Sequence, residues 1–565
     1  MKQTLSLSQN ILVGSMLFGM FFGAGNLIFP VHLGQEAGSN IFLANIGFML
    51  TAIGLPFLGI VAMGISRSEG LFDLASRINK PYAHFVTVLL YLTIGPAFAI
   101  PRTAAVSYEI GLSSHVDASM QTIYLAIFSL IFFVLALAFA LKPGKILTWI
   151  GKILNPLFLV FIAILMVTAL INPMGSPDAM PVQEAYQQEA FFKGFTEGYN
   201  TMDALASLAF GIIVIHTLHN LGLKNPKDVA YGTLKAGIVV LILMGIIYSF
   251  LAYIGACSLG QFALSANGGI ALAQISTYYF GSFGHILLAL TVTIACLKTS
   301  IGLITACSTT FSELYPNSFS YRTYAFIFTI VSFLIANVGL TSIIFLAIPI
   351  LMLLYPLAIT LIILAFISAI FGYHRYVYSV TTLFTLFAAI GDMLNALPFG
   401  LNNTATISAI IEVYKNTLPF FDMGMGWIVP SIIGLVIGVI ISFILMRTIL
   451  RSSAEKLIAK SKYLKKADEF SGKNGFKIML ILRAMPYFPS GILTALGAVS
   501  RISLKDYALA NLIGKFPSTA LEVVIGHDVV NYKNNLDRLM IVIVLVCIIY
   551  GAIWYYNRRK ERKTA

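Results

Sequence analysis

Twelve apolar stretches, each long enough to cross a lipid bilayer and nearly free of charge, occupy the first 447 residues. They lie near 8–30, 40–65, 83–111, 119–141, 147–171, 190–219, 228–256, 284–312, 320–338, 341–371, 376–397 and 425–447. A crossing needs about 20 apolar residues. Within hydrocarbon every backbone N–H and C=O must find its partner inside the protein, so helices are the expected form. Only 10% of the residues are charged, against roughly 25% in soluble domains. The expected fold class is an all-α polytopic membrane protein. The first stretch lacks a small-residue cleavage site after a short apolar region and is expected to be retained. Cys257, Cys296, Cys307 and Cys547 sit in or beside apolar runs without CxxC spacing. They read as small buried hydrophobes, with no disulfide framework and no zinc site.

The connecting segments carry the orientation. One alternating set holds Arg67, Arg77, Lys80, Lys142, Lys145, Lys224, Lys227, Arg322 and Arg375. The other set, 31–39, 112–118, 172–189, 257–283, 339–340 and 398–424, holds one basic residue, Lys415. Basic loops face the cytoplasm, so both ends of the twelve-span unit are expected there, in a bacterial plasma (inner) membrane. The same pattern accounts for the net charge of +13 without nucleic acid as a partner.

Residues 448–477 form a basic linker with Lys456, Lys460, Lys462, Lys465 and Lys466. A second hydrophobic unit, 478–565, ends in Arg558, Arg559 and Lys560. With both flanks cytoplasmic it must cross an even number of times. Spans at 505–527 and 538–556 supply two crossings. Residues 478–500, with Pro486, Pro489, Gly491 and Gly497, are then expected to enter and return as a re-entrant hairpin.

Two spans carry marks of interruption. The first reads GSMLFGMFFGAGNLIFP, ending at Pro30; the sixth reads GFTEGYNTMDALASLAFG. They are five spans apart, so they would run in opposite directions through the membrane. Discontinuous helices in corresponding positions point to a midplane binding site. At Gly23-Ala24-Gly25-Asn26 glycine lets the backbone leave helical geometry. Freed N–H groups can then hold a carboxylate, and freed C=O groups an ammonium group or a sodium ion. Close helix packing through small residues would use the same glycines.

The segments GMFFGAGNLIFP, GPAFAIPRTAAVSYE, GYNTMDALASLAFG and CLKTSIGLITACS resemble the bacterial branched-chain amino acid:cation symporters, the BrnQ-type or LIVCS family, over residues 1–430. The resemblance implies a twelve-helix carrier with a LeuT-like 5+5 inverted repeat of the amino acid–polyamine–cation superfamily plus two helices. It implies import of leucine, isoleucine and valine coupled to Na+ or H+ by alternating access. Ala24, Gly25 and Asn26 would meet the substrate carboxylate. Ala204, Ser207 and Phe210 would line the amine and side-chain region, with Asp203 as amine partner or gate. A Na+ site would join the carbonyls of Gly19 and Phe22 to Thr299 and Ser300. Lys298 stands where a hydroxyl ligand would be expected. An ionisable group inside a span is a functional candidate, and its ammonium group would serve as, or exchange with, the coupling cation; snorkelling or pairing with an acid is the other reading. Arg102, seven residues before Glu109, would form with it a structural ion pair or, with Glu197, an outer gate. The chain carries no GxSxG, HExxH or P-loop, which leaves an enzyme or a primary pump without its motif.

The run from Gly475 to Gly526 resembles the second half of a DedA-type (VTT-domain) membrane protein, through Arg483, Pro486, Pro489, Gly497, Gly514, Pro517 and Gly526. That family's first hairpin and its upstream acidic motif are missing here. The resemblance leaves a second function class open: a lipid-handling or scaffold protein acting through this unit. Truncation separates the two classes. Residues 1–447 alone take up labelled leucine in cells if the carrier acts by itself; absence of uptake from a membrane-inserted truncation would assign an essential part to the C-terminal unit.

Overall fold

The computed structural model describes residues 5–448, leaving aside 67, 69, 114–115, 143–154, 224–225 and 372–373, together with 476 and 480. Apart from those last two, the expected linker and second membrane unit lie outside the described residues, including Arg483, Pro486, Pro489 and the hairpin. The chain divides into Met1–Ala369 with Tyr373–Gly438, and Ile370–Gly372 with Val439–Ala565; the site described below belongs to the first unit.

The helices run in the order α1 (Leu7–Phe21), α2 (Ala24–Ala37), α3 (Ile41–Met49), α4 (Leu55–Ser66), α5 (Leu71–Ser76), α6 (Lys80–Leu92), α7 (Ala99–Gly111), α8 (Gln121–Ala140) and α9 (Asn155–Ile171). Then follow α10 (Glu184–Gln187), α11 (Ala190–Glu197), α12 (Asp203–Asn220), α13 (Pro226–Ser258), α14 (Gly268–Leu314), α15 (Tyr321–Ala336), α16 (Leu340–Phe371), α17 (Arg375–Asn395), α18 (Ala405–Thr417) and α19 (Ile428–Thr448). Each of the twelve spans expected in the first 447 residues has a helical counterpart among the described residues, whereas those expected at 505–527 and 538–556 lie outside them. Among the described residues, seven stretches are long and apolar enough to cross a membrane: Gly25–Gly64, Lys80–Gly111, Ala118–Ala140, Gly232–Ser258, Gly268–Leu314, Leu340–Ser368 and Arg375–Asn395. Ile162–Ile171, Tyr321–Ala336 and Ile428–Ser442 are shorter apolar helices. The protein is an all-α, multi-pass membrane protein.

The helix α8 shows how lipid replaces water as the solvent. Ile123, Ile127, Leu130, Ile131 and Val134 are each more than half exposed. Their spacing of four, three, one and three residues marks one helical face. The opposite face buries Leu125, Ser129, Phe132, Phe133 and Ala136. An exposed apolar face of this size belongs in hydrocarbon.

Three expectations are corrected. The first span does not stop at Pro30: α2 continues through it to Ala37 and ends at Gly38, whose φ is +47°. Pro30 removes one N–H from the ladder without stopping the helix. The loop expected at 257–283 contains the opening turns of α14, capped by Asn267 Oδ1, which accepts from the Gly269 and Ile270 N–H groups. Gly281, at φ +57°, redirects the chain into the eighth span. Likewise the loop expected at 398–424 holds α18.

Two crossings bring backbones into contact. A Cβ on Gly34 would fall on the Ala252 carbonyl, and one on Gly255 on the Val31 carbonyl, so α2 and α13 meet without side chains between them. Gly47 and Gly194 do the same for α3 and α11. In lipid such small-residue contacts supply van der Waals packing where a hydrophobic driving force is absent. Overpacking a close contact costs about 1–3 kcal/mol. Gly255→Val therefore lowers the melting temperature of the detergent-purified protein by several degrees. Gly70→Ala, where a Cβ meets nothing within 4 Å, leaves it unchanged. Equal melting temperatures for the two variants would refute the backbone contact.

Candidate functional site

The first break lies between α1 and α2. Phe22 leaves helical geometry (φ −72°, ψ 97°) and Gly23 follows at φ −130°, ψ −149°. A Cβ on Gly23 would stand 2.5 Å from Thr299 Oγ1 of α14, so the break is pressed against that helix and only glycine fits. The Gly23 N–H, which a continuous helix would aim at the Gly19 carbonyl, donates to Asn26 Oδ1 at 2.9 Å. The carbonyl end of α1 and the N–H end of α2 thus open onto the same point.

The second break separates α11 from α12. Gly198–Thr201 tightens into a 3-10 turn, and Met202 adopts the left-handed conformation (φ 64°, ψ 11°) before Asp203 starts α12. A non-glycine residue there is uncommon and strained. The Asp203 N–H is met by Thr201 Oγ1 at 3.3 Å.

Side chains tie the two breaks together. Asn26 Nδ2 donates to Asp203 Oδ2 and to Tyr248 Oη, and Tyr248 Oη donates to Asp203 Oδ2 at 2.9 Å. All three are buried. Arg102, on α7, donates from Nη1 to the Asn200 carbonyl at 2.7 Å and from Nη2 to the Thr201 carbonyl at 3.3 Å. Its guanidinium also lies 5.3 Å from the Phe29 ring centroid. The turn at Thr93–Ala97, bent at Gly95 (φ −91°, ψ −124°), delivers α7 to this position.

Between these groups lies a narrow, partly open cleft. Gly23, Gly25 and Asn26 line it from the first break, Thr201, Met202 and Asp203 from the second. Ala206 and Phe210 of α12, Arg102 and Thr103 of α7, and Thr299 and Leu303 of α14 complete most of the wall. The wall combines polar groups with apolar side chains, as sites for small amphipathic molecules do.

Of the residues expected to bind, Gly25, Asn26, Asp203 and Phe210 line this cleft, as does Thr299 from the expected cation site. Ala24 contributes the first residue of α2. Ala204 and Ser207 do not line it: Ser207 packs against Gly59 of α4 and donates to the Ala204 carbonyl at 2.7 Å. The reason is rotational. Asp203, Ala206 and Phe210 share one face of α12, and positions 204 and 207 are turned about 100° away from it. The expected pairing of Arg102 with Glu109 does not form, because the guanidinium is used by the Asn200 and Thr201 carbonyls. Glu197 instead pairs with Lys193 at 3.2 Å and accepts from Asn200 Nδ2 at 2.9 Å. Neither glutamate lines the cleft. Lys298 is fully enclosed, its Nζ 5.8 Å from the Phe18 ring centroid, which removes the snorkelling reading. Ser300 is buried with its hydroxyl unpartnered, as is the Thr299 hydroxyl. Gly19 and Phe22 are buried near the end of α1. Among the described residues no cluster of three or more His, Cys, Asp or Glu stands ready for a metal ion. Tyr248 and Met202 escaped the sequence reading. Tyr248 is one of several hydroxyls in the seventh span, with Ser249 and Tyr253 close by, so no sequence signal singled it out.

Comparison with known proteins gives the geometry its family. The model of the branched-chain amino acid transport protein family matches residues 6–445, and a VTT domain matches 417–528, the two sharing 417–445. The branched-chain amino acid permease BrnQ of Lactobacillus delbrueckii subsp. lactis is 48% identical over 431 residues, 76% of this chain and 96% of that permease. BrnQ of Bacillus subtilis is 42% identical over 448 residues, 79% of this chain and 100% of that permease. A solved structure of Mhp1, a nucleobase-cation-symport-1 family transporter, in a closed conformation with bromovinylhydantoin bound, aligns at 15% identity with a TM-score of 0.49, covering 76% of this chain and 91% of that one. The chain therefore belongs to the BrnQ-type branched-chain amino acid permeases, a family of secondary transporters of small molecules rather than enzymes, and carries a VTT (DedA-like) domain fused at its C-terminal end.

Proposed function

We propose that this protein imports branched-chain amino acids, leucine, isoleucine and valine, by symport with Na+ or H+. The observation that carries the reading is the pair of broken helices facing one cleft, joined through Asn26 and Asp203. An amino acid brings one negative and one positive group, and the two breaks offer a partner for each. The N–H groups at Ala24, Gly25 and Asn26 suit the carboxylate. Asp203 suits the ammonium group, and Ala206, Phe210 and Leu303 suit a branched apolar side chain. The relatives, branched-chain amino acid permeases, support the same substrate class.

Breaks in the first and sixth spans also support a 5+5 inverted repeat with two helices added, residues 1–430 as the carrier (its last helix to about 447), and the alternation of basic loops supports cytoplasmic termini. In this reading Thr299 and Ser300, with the carbonyls of Gly19 and Phe22, are the cation-coupling group, and Lys298 beside them modulates it. The VTT-domain match at 417–528 supports a second, lipid-handling role for the C-terminal unit, with 448–477 as linker.

Counterflow tests the transport reading without any ion gradient. Proteoliposomes loaded with unlabelled leucine transiently accumulate labelled leucine, and isoleucine and valine compete. No accumulation with inserted protein would overturn it. Asp203→Asn removes a charge-assisted contact worth about 1.5–3 kcal/mol, which corresponds to a roughly 10- to 150-fold loss of apparent affinity. An unaltered affinity would take Asp203 out of the binding group. For the coupling group, Lys298→Met changes the dependence of uptake on sodium or on a proton gradient; identical coupling in wild type and variant would free Lys298 of that role.

A further inference from the structure

Two carboxylates are buried among the described residues, Asp203 and Asp392, and only the first lines the cleft. Asp392 lies near the C-terminal end of α17, 3% exposed, with neither side-chain oxygen hydrogen-bonded. Its Oδ1 packs on Gly426, where an added Cβ would stand 3.1 Å away. The N–H groups of Gly426 and Trp427 approach the carboxylate without closing a hydrogen bond. Two further buried polar atoms, Trp427 Nε1 and Tyr199 Oη, are likewise unpartnered. Tyr199 is in electrostatic reach of Asp392, and its hydroxyl faces the Trp427 indole.

An ionised carboxylate buried without a hydrogen bond from the protein costs several kcal/mol, and a bound positive charge removes that cost. Its neighbours decide which. Sodium needs a cage of oxygen ligands, and most groups around Asp392 are N–H donors. A proton needs no cavity and no cage of ligands, and Tyr199 is near enough to sense its charge. The titratable groups that face Asp392 from neighbouring elements are Tyr199, from the 3-10 turn of the sixth span, and Tyr414, from α18. From Gly426 and Trp427, just before α19, come backbone N–H groups and the indole, which do not titrate. The nearby ion pair of Lys415 with Asp422, at 2.9 Å, stands in the open.

Tyr199 connects this place to the cleft. It belongs to Gly198–Thr201, whose Asn200 and Thr201 carbonyls Arg102 holds. It also stacks on Tyr355 (centroids 4.2 Å apart, planes at 17°), and Tyr355 is in electrostatic reach of Asp203. We propose that Asp392 is a proton-binding site, outside the substrate cleft, whose occupancy is communicated to the sixth-span break through Tyr199. The proposal rests on the transport reading and selects the proton as a coupling ion.

The test compares, in the same proteoliposomes, leucine counterflow with uptake driven by an inward proton gradient in sodium-free medium. Wild type shows both. In Asp392→Asn the stimulation by the proton gradient, relative to counterflow, is lost. Wild-type stimulation in that variant, or stimulation of wild type by sodium alone, overturns the proposal; absence of wild-type counterflow overturns the transport reading instead. A second measurement leaves Asp392 in place. With Trp149→Phe and Trp554→Phe, Trp427 is the remaining one of three tryptophans. Its emission shifts between mildly acidic and mildly alkaline pH without sodium, and a pH-independent emission overturns the assignment even where the asparagine variant does not fold.

Discussion

A helix broken inside a membrane survives only if something answers the backbone groups that the break exposes. In this protein one amide carries much of that load. Asn26 accepts from the Gly23 N–H within its own break and donates across to Asp203 and Tyr248. A carboxylate at position 203 gains from the same contact the hydrogen bonds that make its burial tolerable. Asn26 has an acceptor on one side and donors on the other, and both are used. Leucine would leave both ends unanswered, and aspartate would place a second negative charge against Asp203.

Arg102 does the complementary work at the carbonyl end of the second break. The carbonyls of Asn200 and Thr201 lie in a 3-10 turn that does not continue into a helix, so they need donors from elsewhere. A guanidinium is suited to this because its planar fork reaches two acceptors at once. Its other neighbours are Phe29 and the backbone of Gly25, where a Cβ would stand 2.9 Å from Nη2. One cation thereby touches both broken spans. A ligand that brings its own charge into the cleft enters a site whose Arg102 and Asp203 side chains are already engaged by protein hydrogen bonds.

The parts of this arrangement that sequence could reveal were those that disturb a pattern. Glycines at 19, 23 and 25, and the polar run from Thr196 to Asp203, interrupt spans that are otherwise apolar, and both breaks fall there. Side-chain direction was less legible. Ser207 was expected at the cleft from the family resemblance, yet one helical step separates its face from that of Ala206. Arg102 and Glu109 share a face of α7 at seven-residue spacing, but the arginine reaches across to carbonyls that no spacing rule within one helix can reveal. Tyr248 stayed hidden for the same reason, since its partners are 222 and 45 residues away in the chain. Gly281 and the opening of α14 were missed because a glycine-rich, partly polar segment resembles a loop until its Asn267 cap is seen.

Met202 gives these contacts a mechanical consequence. A left-handed non-glycine residue costs of the order of 1–3 kcal/mol, and the surroundings must hold it there. Its predecessor Thr201 is held by Arg102, and its successor Asp203 by Asn26 and Tyr248. The strained residue thus sits between two ties, each made by a different helix. A substrate whose carboxylate draws on Arg102, or whose ammonium group draws on Asp203, competes with one of these ties. The left-handed conformation at Met202 is thereby tied to the cleft by its immediate chain neighbours, without a long relay of side chains.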